Sequence, residues 1–261
     1  MNEKQKMRLN YTILAIFACI TLISLAYITR HFCQSHHAKS VERAAVFAYE
    51  KINTTPIPET GTDTLNERER LLAIEQARRE LFAELLEQNA DFRGFIEIPE
   101  LDILLPYVQT NNNETYLNTA FDGTANPVGT IFLDSLNDPL LLDRNNVLHG
   151  HNMKNGTMFG DLYLLKNPEY FGREPIIILD SLTGKTAWLI FAAYVCEADI
   201  NIIQTTFTLA GFAEYLNGIK ARNMHMTDIE INPEIARILT LSTCSYEFPD
   251  ARFIVHAVKQ W

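Results

Sequence analysis

The spacing of apolar residues changes along the chain, and an uncharged, mostly apolar run comes first, over residues 11–29. At about 1.5 Å of rise per residue, a helix of this length spans most of a hydrocarbon core about 30 Å thick. The basic residues Lys4, Lys6 and Arg8 precede the run. Because basic residues favour the cytoplasmic side of a membrane helix, the pattern predicts a single-pass cell-membrane protein. Its cytoplasmic tail would be residues 1–10, and the remainder would be extracellular.

A cleaved secretory signal is the alternative interpretation of this run. Its apolar part would be shorter and would be followed by a small-x-small cleavage site. The run instead ends in Thr29-Arg30-His31-Phe32, where no such site is evident. The sequence therefore favours an anchor that is retained.

Helical spacing follows over residues 66–89. Apolar residues recur there at steps of three and four, which predicts a helix with one apolar face. These positions are Leu71, Ile74, Leu81 and Leu85. We expect this helix, within an N-terminal extension over 65–92, to pack on the domain that follows. Residues 30–64 are predicted to form an extracellular linker with a short helix over 41–51, because 53–64 contain prolines, a glycine and several threonines.

Short apolar segments separated by Pro, Asn, Asp and Gly fill the chain from residue 92 onward. Segments of this kind are typical of β-strands. Eight are predicted, at residues 95–98, 103–108, 129–133, 146–149, 175–179, 186–196, 236–243 and 252–258. A helix over 209–222 precedes the seventh segment. Closely spaced strands with few helices indicate a mainly β domain over 93–261, closed or nearly closed into a small barrel.

Composition narrows the classes of function. Apolar residues make up 47% of the chain, which is enough for a full core, and the net charge is −10. An acidic chain argues against a nucleic-acid partner, because binding phosphates needs a basic face. The four cysteines, Cys19, Cys33, Cys196 and Cys244, lack the regular spacing of a disulfide framework.

Cys244 ends the apolar run 238–244, and Arg252 begins the next one. Strand alternation places Cys244 on one face with Ser242, and Arg252 on one face with His256. A thiol that attacks a carbonyl needs a fixed positive charge near the oxygen that becomes negative, and arginine is charged at any physiological pH. A cysteine buried in the core and a surface arginine are the structural alternatives.

Two histidines upstream, His149 and His151, can supply a proton carrier for the thiol. They stand two residues apart and face the same side if the strand continues. A His-x-His pair can also bind zinc. We expect no metal, because zinc needs further ligands and a metal ion beside Arg252 is electrostatically unfavourable. His225 and His256 are expected to be structural or solvated.

These residues resemble the catalytic signature of the sortase family, and within it class B. The matching segments are Thr240-Leu-Ser-Thr-Cys244, Gly150-His-Asn-Met153 and the strand that begins with Arg252. Further matches to class B are Tyr116–Asn118, Phe121–Gly123 and Gly129–Asp134. The resemblance covers residues 65–261 and implies an eight-stranded sortase-type β-barrel with a two-helix N-terminal extension. A helix before the cysteine strand is also typical of class B.

The resemblance implies a membrane-anchored cysteine transpeptidase. Cys244 would be the nucleophile and Arg252 would stabilise negative charge. His151 would carry the proton, because the residues around it match the family better than those around His149. Residues expected to contact the substrate are Ser242, Thr243, Asn152 and Tyr246. No cofactor is expected.

The expected partners are secreted proteins with an Asn-Pro-x-Thr-like sorting signal, and peptidoglycan or its lipid-linked precursor as the source of the accepting amine. Three alternatives stay open. A class B pilin polymerase would use a pilin lysine instead. An L,D-transpeptidase would have His-Gly directly before its cysteine, where this chain has Ser242-Thr243. A non-catalytic anchored binding domain would have an inert Cys244. The carboxylate-rich stretch 134–145 also leaves a calcium site open.

Overall fold

The structure, a computed structural model, describes residues 2–54, 64–198 and 203–261. Within these ranges four α-helices accompany a β-barrel. They are α1 (Glu3–Thr54), α2 (Thr64–Gln88), α3 (Pro168–Phe171) and α4 (Leu209–Arg222). Short 3₁₀ helices lie at Pro99–Leu101, Thr115–Leu117 and Gly160–Lys166. The helix predicted before the cysteine strand is confirmed as α4.

Eight strands build the barrel. They are β1 (Phe92–Ile98), β2 (Ile103–Val108), β3 (Ile131–Leu133), β4 (Asn145–His149), β5 (Ile176–Ser181), β6 (Gly184–Glu197), β7 (Ile238–Cys244) and β8 (Ala251–Lys259). The barrel is closed, and its strands follow each other in the order β1-β2-β3-β4-β7-β8-β6-β5. The predicted eight-stranded barrel is therefore confirmed, and the strand bounds differ from the expected ones by a few residues at most.

β7 and β8 are antiparallel neighbours whose side chains alternate between the two faces of the barrel wall. Leu241 and Val255 lie inside, in the main apolar core. Ile238 and Ile254 lie on the outer face, in a second apolar cluster with Phe212 of α4. The outer face of β7 is thus covered where the strand begins and only half-buried at Cys244, where it ends.

The N-terminal helices dock on the outside of the barrel through a third apolar cluster. Its buried members are Ala45 and Tyr49 from α1, Leu81, Phe82 and Leu85 from α2, and Phe92, Phe95, Val108, Tyr116, Phe121 and Phe132 from the rest of the domain. Three of these rings, Phe82, Phe92 and Phe95, lie within 6.0 Å of each other, centroid to centroid. The helix predicted over 66–89 therefore packs on the barrel, as expected.

The expected linker over 30–64 needs correction, because α1 remains helical as far as Thr54. The short helix predicted over 41–51 is the last part of this longer helix. Ala45 and Tyr49, four residues apart, are buried against the barrel domain. Packing of one helix face supplies most of a helix's stability in proteins, so tertiary contacts explain why the chain stays helical here. Residues 55–63 of the expected linker lie outside the described residues.

Residues Asn10–Arg30 of α1 form a segment long and apolar enough to cross a membrane, with a mean hydropathy of 2.2. None of this segment is buried within the protein. Membrane anchors and signal sequences share these properties, which concern length and composition only.

Candidate active site

Cys244 and Arg252 are in direct contact. Cys244 ends β7 and is paired across the ladder with Arg252 of β8. Nη1 of Arg252 donates a hydrogen bond to Sγ of Cys244 at 3.1 Å. Alternation along each strand predicts the face, and the antiparallel register brings the two side chains together. A guanidinium at this distance stabilises negative charge on the sulfur or on an oxygen that forms beside it.

His151 follows β4 and has a fixed ring orientation. Its Nε2 lies 2.7 Å from the backbone oxygen of Leu117. Because a carbonyl oxygen only accepts hydrogen bonds, Nε2 carries the proton, and in the neutral ring Nδ1 holds the lone pair. The ring can therefore take up a second proton at Nδ1 while Leu117 holds it in place.

The chain at Gly150 has no room for a side chain. A Cβ at this position would overlap the Ile131 side chain and the Phe159 ring. The amide of Gly150 donates to the Ser242 oxygen at 3.1 Å, and the amide of Phe159 donates to the His151 oxygen at 3.0 Å. Glycine is therefore required at position 150, where the backbone lies beside β7 and leads to His151.

Asn152 joins the histidine segment to the end of the cysteine strand. Its Nδ2 donates to the Cys244 oxygen at 2.8 Å, and the hydroxyl of Tyr246 donates to the Asn152 oxygen at 2.8 Å. In the part of the chain that the structure describes, His151 and Cys244 share no direct hydrogen bond. Asn152 and Tyr246 therefore hold the two halves of the site together.

The two hydroxyl residues before the cysteine lie on opposite faces of β7. Ser242 shares the outer face with Cys244 and is paired in the ladders with His149 and Ile254. Thr243 is buried on the inner face, and its Oγ1 has no hydrogen-bond partner among the residues that the structure describes. The structure thus brings Ser242 toward the site and leaves the Thr243 hydroxyl inside the barrel wall.

A cavity of about 310 Å³ lies on this outer face, and Arg252 is one of its lining residues. It extends across the strands from β3 to β6 and is lined by Asn113, Asp134, Leu136, His149, Cys196, Glu197, Ala198, Ile203, Arg252 and Ile254. Since Arg252 also contacts the sulfur of Cys244, the cavity leads to the thiol. Cys244 itself is not among the lining residues, so Arg252 is the link between the cavity and the thiol.

The chain that carries this site is similar in sequence to known proteins of one family. A family model described as the sortase domain matches residues 96–260. Sortase B of Listeria monocytogenes serovar 1/2a (strain ATCC BAA-679 / EGD-e) is 31% identical over 170 residues, which is 65% of this chain and 69% of that protein. The chain belongs to class B of the sortase family. A sortase is a cysteine transpeptidase.

Solved class B sortases share the fold. The X-ray structure of a mutant form of Clostridium perfringens sortase B is 32% identical, with a TM-score of 0.69 over 72% of this chain and 90% of that one. A Staphylococcus aureus sortase B–substrate complex is 23% identical, with a TM-score of 0.72 over 87% of this chain and 98% of that one. The resemblance to class B sortases that the sequence motifs indicated is therefore confirmed.

Among the residues of this sortase that the sequence did not assign to the site, Asn113 and Asp134 lie next to His149. Nε2 of His149 lies 2.9 Å from Oδ2 of Asp134, and Nδ2 of Asn113 donates to the same oxygen at 2.8 Å. Burial raises the pKa of Asp134, but the hydrogen bonds from His149, the Leu136 amide and Asn113 outweigh it and leave the pKa below its ordinary value. Asp134 directly follows a predicted strand and ends the class B match Gly129–Asp134, and these were the signals for it.

A charged contact fixes the loop between β7 and β8. Lys166 donates to Glu247, which also accepts from Ser245. The hydrogen bonds from Lys166 and Ser245 lower the pKa of Glu247 to about 2. This loop joins Cys244 to the strand of Arg252, so the ion pair stabilises the connection between them.

The remaining histidines of the sortase domain are structural, in line with the expectation for them. His256 is fully buried and bonds to Tyr194 and Thr240 at 2.9 Å each. His225 stacks on Phe171 with 4.3 Å between ring centroids. Among the described residues no cluster of three metal-ligating side chains occurs.

Proposed function

We propose that this class B sortase is a membrane-anchored enzyme in which Cys244, His151 and Arg252 carry the transpeptidation. The observation that carries the proposal is the hydrogen bond of 3.1 Å from Arg252 to the Cys244 sulfur. It pairs a nucleophile with a fixed cation beside a cavity of peptide dimensions.

The first half of the reaction forms a thioester. Cys244 gives its thiol proton to Nδ1 of His151, and Sγ attacks the carbonyl carbon of the scissile peptide bond. Arg252 stabilises the oxygen that becomes negative. The C–N bond then breaks, and His151 donates a proton to the leaving amine. The acyl group stays on sulfur.

The second half transfers the acyl group to an amine. The incoming amine attacks the thioester carbon and gives a proton to His151, and the C–S bond breaks to restore Cys244. One peptide bond is broken and one amide bond is formed, so the reaction needs no oxidant, reductant or cofactor.

For the donor we propose secreted proteins with an Asn-Pro-x-Thr-like sorting signal, cleaved after the Thr. Support comes from membership of class B and from the solved sortase B–substrate complex with the same fold. For the acceptor we propose an amine of peptidoglycan or of its lipid-linked precursor. Ser242, Asn152 and Tyr246 lie where they can shape the peptide site, whereas the buried Thr243 can contribute its backbone only.

We also propose that residues 11–29 anchor the enzyme in the cell membrane, with residues 1–10 in the cytoplasm and the barrel outside. The apolar helix Asn10–Arg30 supports the anchor. The preceding basic residues Lys4, Lys6 and Arg8 support the orientation.

The test is an acyl-transfer assay with a signal peptide and a set of acceptor amines. Cys244→Ala is expected to abolish cleavage, and His151→Ala and Arg252→Ala to reduce it by about 10²-fold or more. Cys19→Ala, which removes a thiol from the apolar helix, is the matched control and should cleave at the wild-type rate. Full activity of Cys244→Ala would refute the proposal. A preference for a pilin lysine over wall-type amines would identify a pilin polymerase instead.

A further inference from the structure

His149 lies on the same outer face as the thiol but takes no part in the reaction described above. It is paired with Ser242 in the parallel ladder between β4 and β7, and Cys244 follows two residues later. Two residues of strand at about 3.3 Å each and one strand spacing of about 4.8 Å separate the two Cα atoms by roughly 8 Å. An extended peptide covers that distance in two or three residues.

The ring of His149 is held on two sides. It stacks on Phe132 with 5.0 Å between centroids, and Nε2 lies 2.9 Å from Oδ2 of Asp134. An ionised carboxylate only accepts hydrogen bonds, so Nε2 carries the proton. In the neutral ring the lone pair is then on Nδ1, which has no hydrogen-bond partner among the described residues. His149 is one of the residues that line the cavity, and Nδ1 is its remaining acceptor.

The charged groups that face His149 define what this acceptor can bind. Asp134 and Glu197 are acidic and disfavour the binding of a carboxylate beside His149. Arg252 lies on β8, two strands away from β4, and disfavours the binding of a cation. The oxygens of Asp134 are already occupied by His149, Asn113 and the Leu136 amide. An uncharged group with an N–H donor is the chemistry that fits.

We propose that His149, positioned by Asp134, determines specificity by accepting a hydrogen bond at Nδ1 from a side-chain amide of the donor peptide. The amide would belong to a residue two or three positions before the residue whose carbonyl is attacked. This inference rests on the proposed function. In an Asn-Pro-x-Thr-like signal the Asn stands three positions before the Thr, which is the larger of the two separations.

The experiment compares two peptides in the full-length enzyme, one with Asn and one with Leu at this position. Leu has a similar shape and no N–H donor. We expect kcat/KM to favour Asn by about tenfold or more in the wild type, as expected for one hydrogen bond at a partly buried site. His149→Gln keeps a donor for Asp134 but removes the acceptor at the Nδ1 position, and should bring the ratio close to one.

Two further variants make the result specific. His225→Gln changes another stacked histidine, outside the site, and should keep the wild-type ratio. His149→Asn places an amide oxygen near the former Nδ1 and should recover part of the preference, which a purely structural role would not do. Thermal unfolding confirms that each variant is folded.

The outcomes separate the two proposals. Cleavage that depends on Cys244, with an unchanged peptide ratio in His149→Gln and His149→Asn, overturns the role of His149 alone. If neither peptide is cleaved by the wild type in a manner that depends on Cys244, the proposed function fails and this inference fails with it.

Discussion

Arg252 is the side chain on which the proposed chemistry depends most directly, because its Nη1 contacts the Cys244 sulfur at 3.1 Å. Lysine keeps the charge but loses the planar fork, so it cannot hold both the sulfur and a developing oxyanion. We predict that Arg252→Lys lowers kcat for peptide cleavage by about 10²–10³-fold. Steady-state kinetics with a fluorogenic signal peptide measure this loss.

The matched control is Arg173→Lys. Arg173, two residues beyond the end of α3, forms an exposed ion pair with Glu169 in that helix. Such pairs are worth little, so this variant should retain wild-type kcat. A wild-type kcat in Arg252→Lys would show that charge alone, without the guanidinium geometry, is sufficient.

His256 makes stability depend on pH. Burial first, and the charge of Arg222 second, lower its pKa from 6.5 to about 3. Below about pH 6.5 His256 is protonated in the unfolded chain, whereas in the folded protein it stays neutral until about pH 3. Stability is therefore complete above pH 6.5 and falls by up to about 1.4 kcal/mol per pH unit below it.

Denaturant unfolding between about pH 7.5 and about pH 5 measures this dependence. His256→Gln should have a shallower fall in the free energy of unfolding than the wild type. His151→Gln, which changes a histidine outside the core, should keep the wild-type slope. An equally steep slope in His256→Gln would assign the dependence to other groups.

Among the helices and strands, α2 is joined to the barrel by a buried ion pair. Nε of Arg78 donates to Oδ1 of Asp180 in β5 at 2.7 Å, and Tyr49 of α1 donates to Oδ2 at 2.9 Å. Without Arg78, the buried carboxylate of Asp180 keeps, among the described residues, only the more distant Lys185, at 3.8 Å, as a cationic partner, and losing one partner of a buried pair is strongly destabilising. We predict that Arg78→Ala lowers the free energy of unfolding by about 3–5 kcal/mol, measured by the fluorescence of the buried Trp188.

Arg79 supplies a matched control on the same helix. It is exposed and pairs with Glu75 at 2.9 Å, four residues away. Exposed helical pairs contribute about 0.3–0.5 kcal/mol, so Arg79→Ala should stay near wild-type stability. Equal effects of the two substitutions would mean that the Arg78–Asp180 contact does not hold α2 on the barrel.

For the whole protein, the membrane orientation decides whether the enzyme meets secreted substrates. We predict that a membrane-impermeant, thiol-reactive sulfonate labels Cys244 on intact cells, because the barrel would lie outside. Peptide mapping separates this label from one on Cys33, which would also lie outside. Cys244→Ser should remove the label at position 244, and Cys19→Ser should keep it. Labelling of Cys244 only after permeabilisation would place the barrel on the cytoplasmic side and contradict the proposed topology.

Local patterns were sufficient to predict the strands and the contact at the centre of the site. Alternation correctly grouped Cys244 with Ser242 and Arg252 with His256, and the antiparallel register of β7 and β8 puts both groups on the same face. The motifs around them predicted the family, because the order of Cys, His and Arg in the chain is specific. The length and composition of residues 11–29 predicted the apolar helix.

Local sequence patterns did not predict the contacts between distant parts of the chain. The pairing of Asp134 with His149, and of Asn152 with the Cys244 oxygen, depends on how strands far apart in sequence are ordered in the barrel. The same reason explains the missed helical residues before Thr54, which are stabilised by a barrel that lies later in the chain. Periodicity thus determined the elements and their faces, whereas closure of the barrel decided which polar groups meet, because such contacts exist only once the strands are assembled.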